Sequence, residues 1–216
     1  TVVYQESDPA WIEVFSFNGN PSSYGYRHNF QWLNDKREFL WQSEKDGWNH
    51  LYRIGINGKE TLITPGNYDV IEYISLNEKT NTIYFLASPE NATQRYLYKT
   101  RLDGKGKAER ITPLNQPGTH DYAISPTGKW AQHSFSNHYT RPMEEWIDIS
   151  THQAIRESES IAGRLANAQL KPTVEFFKVK TEEGIEMDGW VVKPKNFDPS
   201  RKYPVVFMVY TEPASQ

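Results

Sequence analysis

Hydrophobic and polar residues alternate along this chain in short runs, and turn residues punctuate the runs. Arg37-Glu38-Phe39-Leu40-Trp41-Gln42-Ser43 leads to Asp46-Gly47, and Trp48-Asn49-His50-Leu51-Tyr52-Arg53-Ile54 follows. Asp-Gly between two such runs predicts a hairpin, because the tight turn needs a residue that reaches positive φ without strain. Thr82-Ile83-Tyr84-Phe85-Leu86-Ala87 and Gln94-Arg95-Tyr96-Leu97-Tyr98-Lys99 predict a second pair across a longer loop. Asp121-Tyr122-Ala123-Ile124 turns at Ser125-Pro126-Thr127-Gly128 into Trp130-Ala131-Gln132-His133-Ser134, with Glu145-Trp146-Ile147-Asp148-Ile149 as the next strand. Within residues 1–30, Trp11-Ile12-Glu13-Val14-Phe15-Ser16-Phe17 predicts a strand of an earlier unit.

The runs repeat. Leu51-Tyr52-Arg53 recurs 46 residues later as Leu97-Tyr98-Lys99, and Ile63-Thr64-Pro65 recurs 48 residues later as Ile111-Thr112-Pro113. Similar turns, Asn57-Gly58-Lys59 and Asp103-Gly104-Lys105, lie between the landmarks. A period of about 40–50 residues built from short strands is the signature of a β-propeller blade. The expected fold is mainly β, a partial propeller of four-stranded antiparallel blades over residues 1–157. About three blades and a remnant are expected, against the roughly 4–8 of a closed ring.

The pattern changes after residue 157. Ile161, Leu165 and Ala168 fall at helical spacing, with Ser158 or Ser160 as N-cap, and Pro172 stops the run. Residues 158–172 are therefore read as a helical linker. Three strands are predicted beyond it, at 174–180, 189–193 and 204–210. The last, Val205-Val206-Phe207-Met208-Val209, has the continuous apolar character of a parallel-sheet strand buried on both faces. Residues 173–216 read as the start of an α/β domain, and the chain as part of a larger enzyme.

Composition narrows the classes. Among 216 residues, 24% are charged and the net charge is −3, so no basic footprint for nucleic acid exists. Lys105-Gly106-Lys107 and Lys193-Pro194-Lys195 are isolated pairs, and Glu182-Glu183 reads as a solvated turn. No apolar run approaches the roughly 18 residues of a membrane span. There is no cysteine, which removes disulfides, thiolate metal sites and a cysteine nucleophile but leaves the periplasm open. Asn91-Ala92-Thr93 is a glycosylation-type triplet of a kind that arises often by chance.

Several segments carry a resemblance in the right order. Lys202-Tyr203-Pro204-Val205-Val206-Phe207-Met208-Val209-Tyr210, followed by Glu212-Pro213-Ala214-Ser215-Gln216, resembles a strand of the hydrolase domain in the prolyl oligopeptidase clan of serine peptidases. Met187-Asp188-Gly189-Trp190-Val191-Val192-Lys193-Pro194 fits the same clan. The stretch from Phe39 to Tyr52, and that from Ser88 to Tyr98, resemble the propeller of its dipeptidyl peptidase IV branch. The resemblance implies a propeller over an α/β-hydrolase domain. It implies removal of dipeptides from peptide N-termini, with the propeller gating access. It also implies a homodimeric parent and no cofactor, and it favours a periplasmic or secreted location with the cytoplasm left open. The nucleophile would sit in Gly-x-Ser-x-Gly, with Asp and His after it. That elbow does not occur in this sequence, so the chain by itself is expected to be inactive.

Tyr210 is the catalytic position that the resemblance transfers. In the family, a tyrosine ending this strand aims its hydroxyl at the oxyanion of the tetrahedral intermediate. A tyrosine closing a sheet edge is the alternative, and Thr211 departs from the family's glycine. Glu144-Glu145 does not match the family's glutamate pair for peptide amino termini, and reads as a solvated strand end. His133 and His138 are five apart, as some zinc ligands are, but the sequence offers no third ligand in pattern, so no metal is expected. The seven tryptophans read as packing between blades. The expected partners are peptide substrates in the intact enzyme and further copies of the chain, through unpaired strand edges and an open blade face. A stand-alone propeller serving as a binding or scaffold module is the rival reading, and residues 174–216 are what such a module would not need.

Overall fold

The computed structural model describes residues 2–10, 31–168 and 174–209. Its main body is three four-stranded antiparallel sheets, each strand paired with its neighbour in sequence. The first holds β1 (Gln31–Leu33), β2 (Glu38–Ser43), β3 (His50–Gly55) and β4 (Glu60–Leu62). The second holds β5 (Val70–Asn77), β6 (Thr82–Ala87), β7 (Tyr96–Arg101) and β8 (Glu109–Arg110). The third holds β9 (Thr119–Ile124), β10 (Trp130–Asn137), β11 (Thr140–Asp148) and β12 (Gln153–Ala154). This up-and-down meander, repeated at the predicted period, is the blade pattern. The strand expected at Trp11–Phe17 lies outside the described residues.

The repeated tripeptide has a physical task. After β4 the Thr64 hydroxyl accepts from the Leu51 N–H at 2.9 Å, and after β8 the Thr112 hydroxyl accepts from the Leu97 N–H at 2.9 Å. Beside each threonine, Ile63 and Ile111 donate their N–H to the carbonyls of Leu51 and Leu97, both at 2.8 Å. Both threonines are buried. Each tripeptide thus pins the end of its sheet to the sheet's third strand. The repeated turns also match. Gly58 and Gly104 sit at φ +79° and +71°, and Asn57 and Asp103 accept from the N–H two residues on, at 3.1 and 3.0 Å.

Period-two alternation makes the middle sheet two-faced. Ile83, Phe85 and Ala87 of β6 pack with Leu33, Leu40, Leu51 and Ile63 of the first repeat. Leu86 and Leu97 turn the other way, onto Tyr122, Ala131 and Ile147 of the third sheet. On the far side of the first sheet, Phe39, Tyr52 and Ile54 meet Tyr4, and Glu6 accepts from Trp41 Nε1 at 2.7 Å. The tryptophans do less of this packing than the sequence predicts. Trp32, Trp48, Trp146 and Trp190 are all well exposed, because aliphatic side chains with tyrosine and phenylalanine already fill the space between sheets.

The linker helix is short. A 3-10 turn at Glu157–Glu159 precedes α1 (Ile161–Ala166), and Ser160 is the cap, its hydroxyl accepting from Gly163 N at 3.2 Å. β13 (Val174–Lys180) and β14 (Glu186–Val192) then form an antiparallel hairpin. The third strand expected there does not form. Residues 204–209 have no strand partner among the described residues, and Val206 is 92% exposed. An apolar run becomes a strand only against a neighbour that satisfies its backbone groups.

Candidate functional site

Two places in the molecule hold chemistry. The first is the inner face of the third sheet. Tyr122 of β9 lies directly opposite His133 of β10, and His133 directly opposite Glu145 of β11. His120 stands two residues from Tyr122 on the same face, and His152 enters from the turn after β11. His120 and His133 are fully buried, and Glu145 is only 4% exposed. The expectation that Glu145 is a solvated strand end is therefore overturned. Alternation along β11 points Glu144 and Trp146 outward and Glu145 and Ile147 inward.

Hydrogen bonds run through the row. Glu145 Oε1 meets His133 Nδ1 at 2.8 Å, His133 Nε2 meets His120 Nδ1 at 2.8 Å, and His120 Nε2 meets the Gln116 carbonyl at 2.9 Å. The imidazoles of His120 and His133 stack at 5.1 Å with 2° between planes, and Tyr122 stacks on His133 at 4.6 Å. The other oxygen of Glu145 accepts from the Ile161 N–H at 2.8 Å, which ties the row to the start of α1. The Tyr122 hydroxyl joins Thr112 Oγ1 at 2.9 Å to His152 Nε2 at 2.8 Å.

A proton count fixes the charge of the row. Three bonds link Glu145, His133, His120 and the Gln116 carbonyl, and each needs one proton. An ionised glutamate and two neutral imidazoles supply only two. One extra proton therefore resides in the row. Burial, with the charge of His133 beside it, lowers His120 to about 3, so His120 is the neutral member. Burial pushes Glu145 upward, but the His133 and Ile161 hydrogen bonds outweigh it and hold its carboxyl below the usual range. The row is thus a carboxylate–imidazolium pair leaning on a neutral imidazole. Burial lowers His152 to about 4.

One donor atom each from His133, Glu145 and His152 lies within 4.8 Å of the other two, the one such group among the described residues. The third donor that the His133/His138 spacing lacks thus comes from other elements. His138 is not part of the group and stands in the β10–β11 turn, edge-on to Phe176 at 5.2 Å. His120, Tyr122 and His152 escape spacing arguments. The available signal was alternation, since His120-x-Tyr122, His133-x-Phe135 and Glu145-x-Ile147 each place a polar residue two positions from another inward one.

The second place is the loop end of the sheets, over which the β13–β14 hairpin lies. A cleft of about 560 Å³ runs between Arg95, His138, Tyr139, Phe176 and Trp190. Beyond the loop at 92–94, a second of about 840 Å³ is bordered by Trp48, Tyr68, Glu90, Phe177 and Asp188. Arg95 is held by Asp121 at 2.5 Å. Both clefts mix aromatic walls with a few charged groups, the usual make-up of a small-ligand or peptide surface. Tyr210 lies outside the described residues.

Blade-like four-stranded sheets, with a β-hairpin across their loop ends, define a propeller protein. The chain belongs to the dipeptidyl peptidase IV N-terminal region family, whose model matches residues 1–142. Among curated proteins, it is 28% identical over 191 residues to dipeptidyl peptidase 4 of Arthroderma otae, covering 85% of this chain and 24% of that protein. It is 30% identical over 183 residues to a probable dipeptidyl-aminopeptidase B of Aspergillus oryzae, covering 79% of this chain and 19% of that protein. The crystal structure of Porphyromonas gingivalis dipeptidyl peptidase 4 is similar, with a TM-score of 0.63, 26% identity and 81% of this chain covered, against 24% of its own. The chain thus spans about a quarter or less of the length of these relatives.

Proposed function

We propose that this chain supplies propeller blades and the opening of the catalytic domain to a serine-type dipeptidyl peptidase that removes dipeptides from peptide N-termini. The observation that carries the reading is the similarity to dipeptidyl peptidase 4, which extends over 191 residues and so reaches past the three sheets. The clefts under the β13–β14 hairpin support it, because peptide passing the loop ends would meet aromatic and charged walls there. In this reading the propeller gates substrate access, and Tyr210 of the intact enzyme donates its O–H to the oxyanion. The serine attacks the scissile carbonyl, and charge builds on the carbonyl oxygen. A preorganised hydroxyl at that point stabilises the transition state more than the ground state. The reading places the active enzyme in a homodimer.

The decisive experiment uses the parent enzyme with Gly-Pro or Ala-Pro chromogenic amides. Tyr210→Phe is expected to lower kcat by about 10²–10³ with KM nearly unchanged. Unchanged kcat would remove the oxyanion role. The chain by itself is expected to show no turnover, because it lacks the nucleophile elbow. The exposed run 205–209 also offers an apolar edge to a second copy, and light scattering at tens of micromolar is expected to show self-association. A strict monomer would exclude that contact.

A further inference from the structure

We propose that His133, Glu145 and His152 form a binding site for a zinc-like divalent cation, which ties the third sheet to the start of α1. Two imidazoles and a carboxylate are a donor set that suits zinc and its first-row neighbours. The three come from three separate elements, so a cation there would link β10, β11 and the turn before β12. Their donor atoms already lie within 4.8 Å of one another. Donors around a tetrahedral zinc, with bonds of about 2.0–2.1 Å, stand about 3.3 Å apart, so the 2.8 Å His133–Glu145 contact need open only slightly while the wider spacings close.

The surroundings supply what a metal site requires beyond its ligands. His152 Nδ1 is buried and meets no donor or acceptor of another residue, with only its own main chain close by. Its other nitrogen lies 2.8 Å from the Tyr122 hydroxyl, so a proton on Nε2 can be given to Tyr122 and leaves the Nδ1 lone pair for a cation. The ring stands edge-on to His133 at 4.9 Å between centroids. Behind His133, Nε2–H can donate to His120 Nδ1, and His120 Nε2–H to the Gln116 carbonyl. That outer chain presents the His133 Nδ1 lone pair, as hydrogen-bonded partners do behind ligating histidines. The cation would take the position of the proton shared by His133 and Glu145, and that proton would leave to solvent. Glu145 keeps its second oxygen on the Ile161 N–H, so coordination reaches the helix through one carboxylate. His133 and Glu145 are buried and His152 is half-buried, which fits a structural cation.

The test is direct. The chain, stripped with chelator, is titrated with Co²⁺ and Zn²⁺ while visible absorption and thermal unfolding are followed. One equivalent of Co²⁺ is expected to give the absorption of a tetrahedral nitrogen–oxygen site, and Zn²⁺ to displace it. Zn²⁺ is expected to raise Tm, and chelator to reverse the rise. His152→Ala is expected to weaken binding at least tenfold, while His138→Ala binds as the unaltered chain does. Failure of the unaltered chain to bind one equivalent overturns the proposal, as does wild-type affinity in His152→Ala. Should His152→Ala not fold, imidazole resonances of the unaltered chain decide. Zn²⁺-induced shifts at His133 and His152 uphold the site, and shifts that spare both overturn it.

Discussion

The two interfaces between sheets share one backbone plan and differ in what fills them. Between the first and second sheets, Leu40, Leu51, Ile63, Ile83 and Phe85 make a mainly apolar interior lined at one side by tyrosines, with Gln42, Asn49 and His50 buried at its margin. Between the second and third, Leu86, Leu97, Ala131 and Ile147 occupy part of the space, and His120, His133 and Glu145 occupy the rest. Apolar burial stabilises at about 25 cal/mol per Å² and does not depend on protonation. A buried charged row depends on every partner being present and in the right protonation state. The lesson is that a propeller need not use one kind of filling throughout, and that its polar interface is where regulation by protons or cations could enter.

The sharpest way to break the comparison is to damage the apolar interface. Phe85 is fully buried and stacks with Tyr98 at 5.9 Å. Phe85→Ala is expected to cost about 3–5 kcal/mol. Urea unfolding should show this loss equally at neutral and mildly acidic pH, since the rings stacked on Phe85 are those of Tyr68 and Tyr98, whose phenols burial pushes upward and which stay protonated at both. A loss that changed strongly with pH would mean the two interfaces are not energetically separate.

Acid should strike the other interface. His120 and His152 titrate in the folded chain at about 3 and about 4, whereas an unfolded histidine titrates near 6.5. Below about 6.5 the unfolded chain binds protons that the folded chain refuses, so stability falls as pH falls. The slope approaches about 1.4 kcal/mol per pH unit for each histidine. Glu145, held low by its hydrogen bonds, adds a loss in the same direction below its ordinary range. His133, Arg110 and Asp121 also act electrostatically on this cluster. Denaturant midpoints measured from pH 7 to pH 4 should fall steadily, and His120→Asn should flatten the curve. A midpoint constant over that range would contradict the neutral, buried state of these rings.

Much of this architecture was legible in the sequence, for reasons that the contacts now supply. The repeated Ile-Thr-Pro marks blades because the threonine hydroxyl pins the third strand in both repeats. The repeated turns were legible because only residues comfortable at positive φ fit there. The strand at 174–180 followed from local pattern alone, which also narrowed the helix cap to Ser158 or Ser160. What escaped notice needed partners far away in the chain. Glu145 reads as solvated beside Glu144 until its strand is placed between His133 and the Ile161 N–H. The run at 204–209 has ideal strand composition, but composition does not create a neighbour. The outward face of the third sheet carries Asp121, Gln132, Ser134 and Glu144 around Trp146, so of the two expected routes to self-association the run at 205–209 is the more apolar.

The smallest expected effect separates the two interfaces at matched positions. Thr64 and Thr112 accept the same kind of bond in consecutive repeats, at the same 2.9 Å. Thr64→Val leaves one buried N–H, that of Leu51, without its acceptor, and is expected to cost about 1–2 kcal/mol. Thr112→Val strands the Leu97 N–H in the same way. It also removes a partner from the Tyr122 hydroxyl, which reaches His152 in turn. Its cost is therefore expected to exceed that of Thr64→Val by about 1 kcal/mol, the net worth of one further hydrogen bond. Only Thr112→Val should also alter the acid sensitivity, because only Thr112 touches the histidine cluster. Chemical unfolding of both variants at pH 7 and pH 5 reads the difference. Equal losses at both values of pH would show that the tyrosine bridge carries no energy and that the two threonines serve their own sheets alone.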